Sequence, residues 1–564
     1  MAQDLLLEIG VEKLSASLLS SALHALPRVL EGELHALRLG YDRVWAGVAP
    51  HRLAVRAAGV TEMQADIDAE IVGPPLRIAF DPDGNPTTSA RNFADKCGVS
   101  VVDLYRVERA GRDYVAARKR AAGVPSVDLL PALLGRVCAE LFSAGRVGDG
   151  ETLGQARWLL ALFGAEVVRV EFGGKVASNL TFTTATAEPL SIAHARDYEA
   201  ELERVGTVID VAKRERQLNL ELRAAAEEQK ATLVNDEALV FENTLLVENP
   251  GVCIEQFDAR YLVLPERIVL EVARDPQRCF AVRAREGTLL PLCLAVVNKG
   301  REARDEGQLR ARLASAEALY TQDLSKPLDE WRSELDALSY HERLGSLGAK
   351  VIRLEALAPL VAHELGLSQE IVTQVKLAAG LCKSDSNTSI VRAFPQLRGE
   401  MGRIYARASG ASVAVADAIA EHYWPKINTG PVAPSTVGAV LAVADRLDTL
   451  VGGCAVNLVP AATSDPLAMR AAAIGLLRTL ITKHWDVSLG ELVALAYGCY
   501  SGLKLDLDLP AVTHKLGGFL RHRLRGLLLA RYSEEAVDAR LAVDATRPYV
   551  VARQLADSSE RELE

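Results

Sequence analysis

Between Leu377 and Ile481 the chain admits little besides packed helices. Val437, Val440, Leu441, Ala444, Leu447 and Val451 recur at three- and four-residue steps, so they share one face of a helix, while Asp445, Arg446 and Asp448 fall elsewhere. Asp465-Pro466 predicts the start of the next helix: an aspartate to cap, then a proline at the first turn, where no amide hydrogen is needed. Leu467, Ile474, Leu477 and Ile481 supply its apolar side. The spacing gives a helical bundle and leaves its purpose open.

At 564 residues the chain is long enough for about three or four domains. A net charge of -10 advertises no basic field, which argues only weakly against RNA, because large RNA-binding proteins often confine positive charge to a patch. The eight cysteines form no CxxC pair and no cluster with histidine, and read as buried or incidental thiols of a reducing compartment. The opening MAQDLLLEIG is not a secretory signal, and no apolar run reaches membrane-spanning length, so a cytoplasmic protein without a membrane segment is expected.

Leu5 to Gly10 reads as a strand, with Ser15 or Ser17 capping a helix through Leu18, Leu19, Leu23, Leu26 and Leu30. Further strands are expected at Arg52–Arg56, Arg112–Arg118 and Val167–Phe172, and helices from Arg91 and over Leu129–Leu141. Gly73-Pro74-Pro75 and the turn formers from Phe80 to Thr87 mark loops. Leu202 to Gln229 reads as one long, solvated, charged helix, and the tail from Ala556 as frayed. Lys515 to Tyr532 holds the densest positive charge: Lys515, Arg521, Arg523, Arg525 and Arg531, with His522. Arg521 and Arg525 share a helical face, and Phe519, Leu520, Leu524 and Leu527 can form the buried one. Such a helix either faces RNA phosphates or is a solvated amphipathic element.

Four strings in the helical region carry a family resemblance. Gly399-Glu400-Met401-Gly402-Arg403-Ile404-Tyr405-Ala406, Glu421-His422-Tyr423-Trp424-Pro425, Ala444-Asp445-Arg446-Leu447-Asp448-Thr449-Leu450 and Asp465-Pro466-Leu467-Ala468-Met469-Arg470 resemble, in order and spacing, successive signatures of the β subunit of bacterial glycyl-tRNA synthetase. LLLEIGVEKLSA, APHRLAV, Arg157–Gly164 and Val247-Glu248-Asn249-Pro250 extend the resemblance towards the N-terminus. The departures are specific. Lys13 stands where the family is usually acidic, His51 where it has arginine, and Asn179–Thr183 where it has Gly-His-Arg. Pro276–Phe280 replaces His-Gln-Lys-Tyr-Phe, with loss of a polar contact expected. Ser315 replaces an aspartate, Ala318 and Leu319 an aromatic pair, and the string at 461–464 is altered.

The resemblance implies an α+β multidomain chain. Mixed α/β regions (1–235, then a strand-rich 236–330) would precede an HD-like all-helical domain (331–500). A partial helical anticodon-binding region (501–564) would follow, because the family continues with more helices. Active HD proteins bind metal through histidines, a His-Asp doublet and a further aspartate. Here only His363-Glu364 and Glu421-His422 are comparable, so no metal ligand is assigned, and Asp445 and Asp448 are expected to cap or ion-pair. There is no GxxxxGK[ST] loop and no GxSxG elbow. The resemblance implies a subunit that grips tRNA(Gly) beside a catalytic α subunit, in an α2β2-type hetero-oligomer. ATP and Mg would be held by the α subunit and no cofactor or catalytic residue by this chain; Lys515, Arg521, Arg523, Arg525 and Arg531 are the tRNA-binding candidates. The alternative is a divergent homologue without catalysis, acting as an RNA-binding or regulatory protein.

Overall fold

The computed structural model describes residues 2–109, 111–144, 155–183, 189–299, 306–458, 460, 464–465 and 467–563. The chain divides into two units, Met1–Gln256 with Gln277–Asp305, and Phe257–Pro276 with Glu306–Glu564. The segment 236–330 is thus shared between them.

The first unit is built on Gln3–Gly10, the middle strand of a five-stranded sheet. It pairs antiparallel with Arg52–Val60 on one side and Trp158–Phe163 on the other; Arg43–Ala49 and Glu166–Val167 lie outside these. Side chains of a strand alternate between faces. Leu5, Leu7 and Ile9 accordingly join the core formed with the helices Ala16–Ala36 and Ser126–Ala144, whereas Leu6 joins a second core with Ala54, Leu160, Tyr198 and Leu202. Glu8 belongs to that second, equally buried face. Ser15 caps the first helix, accepting from the Leu18 amide.

The expected strands at Arg52–Arg56 and Arg112–Arg118 and the helices from Arg91 and over Leu129–Leu141 are all present, with somewhat wider bounds. Gly73-Pro74-Pro75 is not a loop. It ends the edge strand Ile67–Pro75, where the register slips between Val72 and Pro75 and a proline withholds no ladder hydrogen bond. Val167–Phe172 is not one strand but two short ones, Glu166–Val167 and Glu171–Phe172, separated by the buried Val168 and Val170. The expected helix at 202–229 is two helices, Tyr198–Arg204 and Val211–Glu228, broken at Gly206 (φ 82°) and restarted by Asp210, which accepts from the Lys213 amide. Nor is it merely solvated. Arg214, Leu218 and Leu222 are buried, and Arg214 donates to the carbonyls of Thr244, Val208 and Val48. That helix covers a four-stranded antiparallel sheet in the order Ala231–Leu233, Cys279–Ala284, Leu289–Asn298, Pro250–Gln256.

The second unit is helical apart from a short hairpin, Ser339–His341 with Gly345–Ser346, among its described residues. At its centre runs Thr436–Ala455. The six residues expected on one face are buried, but so is almost everything else: sixteen of the 20 residues, Asp448 included. A helix surrounded on every side is a core helix rather than an amphipathic one. The following helix starts at Met469, later than expected. Asp465 still serves its N-terminus, accepting from the amides of Met469 at 2.7 Å and Arg470 at 3.0 Å; Pro466 lies outside the described residues, as do 461–463. Over its described part the tail from Ala556 is not frayed but continues the helix Pro548–Leu563, which is anchored ahead of it by the buried Val551 and Leu555.

Candidate functional site

The densest basic segment folds as the helix Leu509–Leu529, opened by Asp508, whose carboxylate accepts from the Ala511 amide. Its buried stripe is Val512, Leu516, Leu520, Leu524 and Leu528, one residue per turn; Phe519 and Leu527 are only half-buried. The five candidate cations do not act alike. Lys515 donates to Asn457 at 2.6 Å. Arg525 is clamped by Asp538 at 2.6 Å and by Glu534, which holds its guanidinium strongly protonated and cancels much of its outward charge. Arg523 lies over the Phe519 ring, 4.7 Å from its centroid. Arg521, on the same face as Arg525, and Arg531, just past the helix end, are exposed and have no hydrogen-bonded carboxylate among the described residues.

A second concentration of charge is buried in the same unit. Lys350 and Arg353 on the helix Leu347–Glu364, and Lys383 at the end of Gln369–Leu381, converge on Asp445 and Asp448 of the central helix. Lys350 Nζ is 2.9 Å from Asp448 Oδ2 and 3.0 Å from Asp445 Oδ1. Arg353 Nε donates to Asp448 Oδ1 at 2.6 Å, and Lys383 Nζ to Asp445 Oδ2 at 3.0 Å. Tyr500 closes the cluster, its hydroxyl donating to the Asp448 carbonyl at 2.7 Å. Burial alone would raise the Asp445 carboxyl, yet Lys350 and Lys383 hold it well below the usual carboxylate range. Asp385, by contrast, is pushed up to about 6 by burial, although the amides of Gly399 at 2.6 Å and Gly402 at 3.0 Å donate to its Oδ2.

Asp445 and Asp448 therefore ion-pair, as expected. Of the two histidine pairs, His363 and Glu364 are exposed at a helix end, and Glu421 accepts from the Ser435 amide at 3.0 Å. His422 is buried beside Lys383. Among the described residues, no group of three His, Cys, Asp or Glu side chains is arranged to hold a metal ion.

The first unit contains a third site, which the sequence reading missed. Glu8 accepts from Trp158 Nε1 and Thr181 Oγ1, both at 2.5 Å, and from the Tyr198 hydroxyl. Arg52, fully buried, lies 3.6 Å from Glu8 and donates to Thr181 Oγ1 at 3.0 Å and to the Phe182 carbonyl at 2.6 Å. Burial would favour losing the Arg52 proton, but Glu8 and its neighbours more than offset this and the guanidinium stays charged. A charged residue inside the apolar string Leu5–Ile9 was the available signal, because the alternation that buries Leu6 must bury Glu8 as well. Arg52, Gly10 and Trp158 are register partners on three adjacent strands. With no side chain at Gly10, the indole lies directly over its Cα; a Cβ there would sit 1.9 Å from the ring. A cleft of about 460 Å³ opens above, lined by Lys13, His51, Arg52, Trp158, Phe182 and Thr183. Three of the sequence departures, at positions 13, 51 and 182–183, thus meet in one place.

Comparison with known proteins adds a family. A family model described as glycyl-tRNA synthetase beta subunit matches residues 5–542. The chain is 34% identical over 574 residues to the glycine--tRNA ligase beta subunit of Desulfitobacterium hafniense (strain DSM 10664 / DCB-2), covering 98% of this chain and 82% of that protein. It is 35% identical over 580 residues to the protein of that name from Moorella thermoacetica, covering 100% and 84%. For the one from Myxococcus xanthus the identity is 34% over 560 residues, covering 96% and 79%.

Proposed function

The chain belongs to the glycyl-tRNA synthetase beta subunit family, and we propose that it grips tRNA(Gly) and holds its acceptor end for ATP-dependent glycylation at an active site carried by an α subunit. The match from residue 5 to 542 carries this reading, because it spans both units rather than one shared module. In this proposal ATP and magnesium are held by the α subunit, the two chains assemble as α2β2, and the complex works in the cytoplasm. No helix among the described residues is long and apolar enough to cross a membrane.

The chemistry on the chain suits a binding role. Arg521, Arg523 and Arg531 offer guanidinium groups without carboxylate clamps to a phosphate backbone, whose neutralisation supplies much of the affinity for RNA. We read 331–500 as an HD-like domain in which lysine ammonium groups, rather than a metal ion, face the two carboxylates. Under this reading the centre is structural, since both carboxylates are already neutralised and Asp448 is shielded from solvent.

A second reading, a homologue that has lost aminoacylation and acts as an RNA-binding or regulatory protein, draws support from the replaced string at 179–183, part of which lines the cleft over Gly10. Co-purification separates the two. The first expects a tagged chain to retain an α subunit from its own cells and to bind tRNA(Gly); a chain that binds RNA but never an α subunit supports the second.

A further inference from the structure

We propose that the cleft over Gly10 binds a single unpaired nucleotide of RNA, its base stacked against Trp158 and Phe182 and its phosphate beside Lys13. This deepens the reading of the chain as a tRNA-binding subunit and rests on it.

Two aromatic rings frame the cleft. The indole of Trp158 is held by the bare backbone of Gly10 beneath one face and, at its edge, by the hydrogen bond of Nε1 to Glu8. Phe182 stands beside it, ring centroids 5.3 Å apart and planes inclined at 56°, and remains 43% exposed. A large aromatic side chain left open next to a fixed indole is a surface for another flat ring, and bases of single-stranded RNA are recognised by such stacking.

The cation of the lining that is open to a ligand is Lys13. Arg52, fully buried and 5.8 Å from the Trp158 ring centroid, is ion-paired with Glu8 at 3.6 Å and Glu248 at 3.7 Å and serves to fix the floor of the cleft. Lys13 is exposed and has no ion-pair partner among the described residues. The acidic residue of the rim, Glu12, is neutralised by Arg157. The volume of about 460 Å³ lies within the range of small-molecule sites, about 300–1,000 Å³, and suits one nucleotide rather than a duplex. An acidic peptide would satisfy Lys13 but leave both ring faces without a flat partner, so the nucleotide is favoured.

The test uses the full chain and a fluorescein-labelled single-stranded RNA hexamer, followed by anisotropy. AMP, CMP and an acidic heptapeptide serve as competitors, and binding of intact tRNA by the chain with its α subunit is measured in parallel. Phe182→Ala is expected to weaken hexamer binding about five- to hundredfold, the range for loss of one stacked base. Lys13→Glu is expected to weaken it and to flatten its salt dependence. Both side chains are exposed, so folding is not at stake. Trp158→Leu should act in the same direction, and circular dichroism separates its effect from loss of fold. Displacement by AMP or CMP assigns the cleft to free nucleotides as well as RNA; its absence assigns the site to the strand alone. Unchanged hexamer binding in both Phe182→Ala and Lys13→Glu overturns the proposal, as does displacement of the RNA from neither variant nor parent by any nucleotide but from both by the peptide. If tRNA still binds the complex in that case, the tRNA-binding reading stands and the cleft assignment alone fails; if tRNA is not bound at all, that reading fails first.

Discussion

Lys383 sets its ammonium nitrogen 2.7 Å from Nε2 of His422, in the buried interior of the helical unit. The other ring nitrogen, Nδ1, is 2.7 Å from the carbonyl of Ile419, which can only accept, so Nδ1 carries the proton and Nε2 accepts from the lysine. Burial, and then the adjacent ammonium, push the imidazole well below its ordinary value. Asp445 is the lysine's other partner, its Oδ2 3.0 Å from the ammonium nitrogen.

Through His422, acidification should weaken the helical unit. Unfolded, His422 takes up a proton below about 6.5, whereas folded it resists. Its contribution is complete above about pH 6.5 and is lost as pH falls below that. His422→Gln should flatten this part of the pH dependence, read as unfolding free energy by denaturant titration between pH 8 and 5.

Asp385 acts with the opposite sign. Its folded value of about 6 lies above the ordinary 3.8, so it favours the fold most below about pH 4 and loses that advantage as pH rises through 6. Asp385→Asn keeps an oxygen for the Gly399 and Gly402 amides and cannot ionise. Relative to the parent, the variant should gain on the order of 3 kcal/mol between pH 4 and 7.5, about two pKa units' worth.

Removing one partner from the buried cluster should be costly. Asp448→Ala leaves Lys350 and Arg353 without their shared carboxylate and should lower the unfolding free energy by about 3–5 kcal/mol. Replacing the exposed Glu364 should change it by less than about 0.5 kcal/mol, which makes it a suitable control.

On the basic helix, Arg521→Ala should weaken tRNA binding and lower the slope of log affinity against log salt by about one, as for loss of one phosphate contact. Arg525→Ala should do less, because Asp538 and Glu534 already engage that guanidinium. Filter binding across a salt series distinguishes them.

The two kinds of feature were unequally legible. Periodic ones were plain: the strand through Leu5–Gly10, the helix after Ser15 and the central helix are written in local spacing. What escaped is convergence. Glu8 meets Tyr198 across 190 positions, and Lys350 meets Asp448 across 98, so no window of the chain holds both partners. Over 202–229 the dense charge masks the breakers that divide the helix, Gly206 and the capping Asp210. One-sided burial was expected for Val437–Val451 because a helix's neighbours are set by tertiary packing, which no periodicity reports.

Glycylation tests most directly whether the chain is a subunit that presents RNA to a partner's active site. Purified chain, its α subunit, ATP, magnesium, glycine and tRNA(Gly) are combined, and glycyl-tRNA is counted with each protein alone and with both. Charging is expected only when both chains are present; charging by this chain alone, or none with an α subunit that a second β subunit activates, would contradict this role.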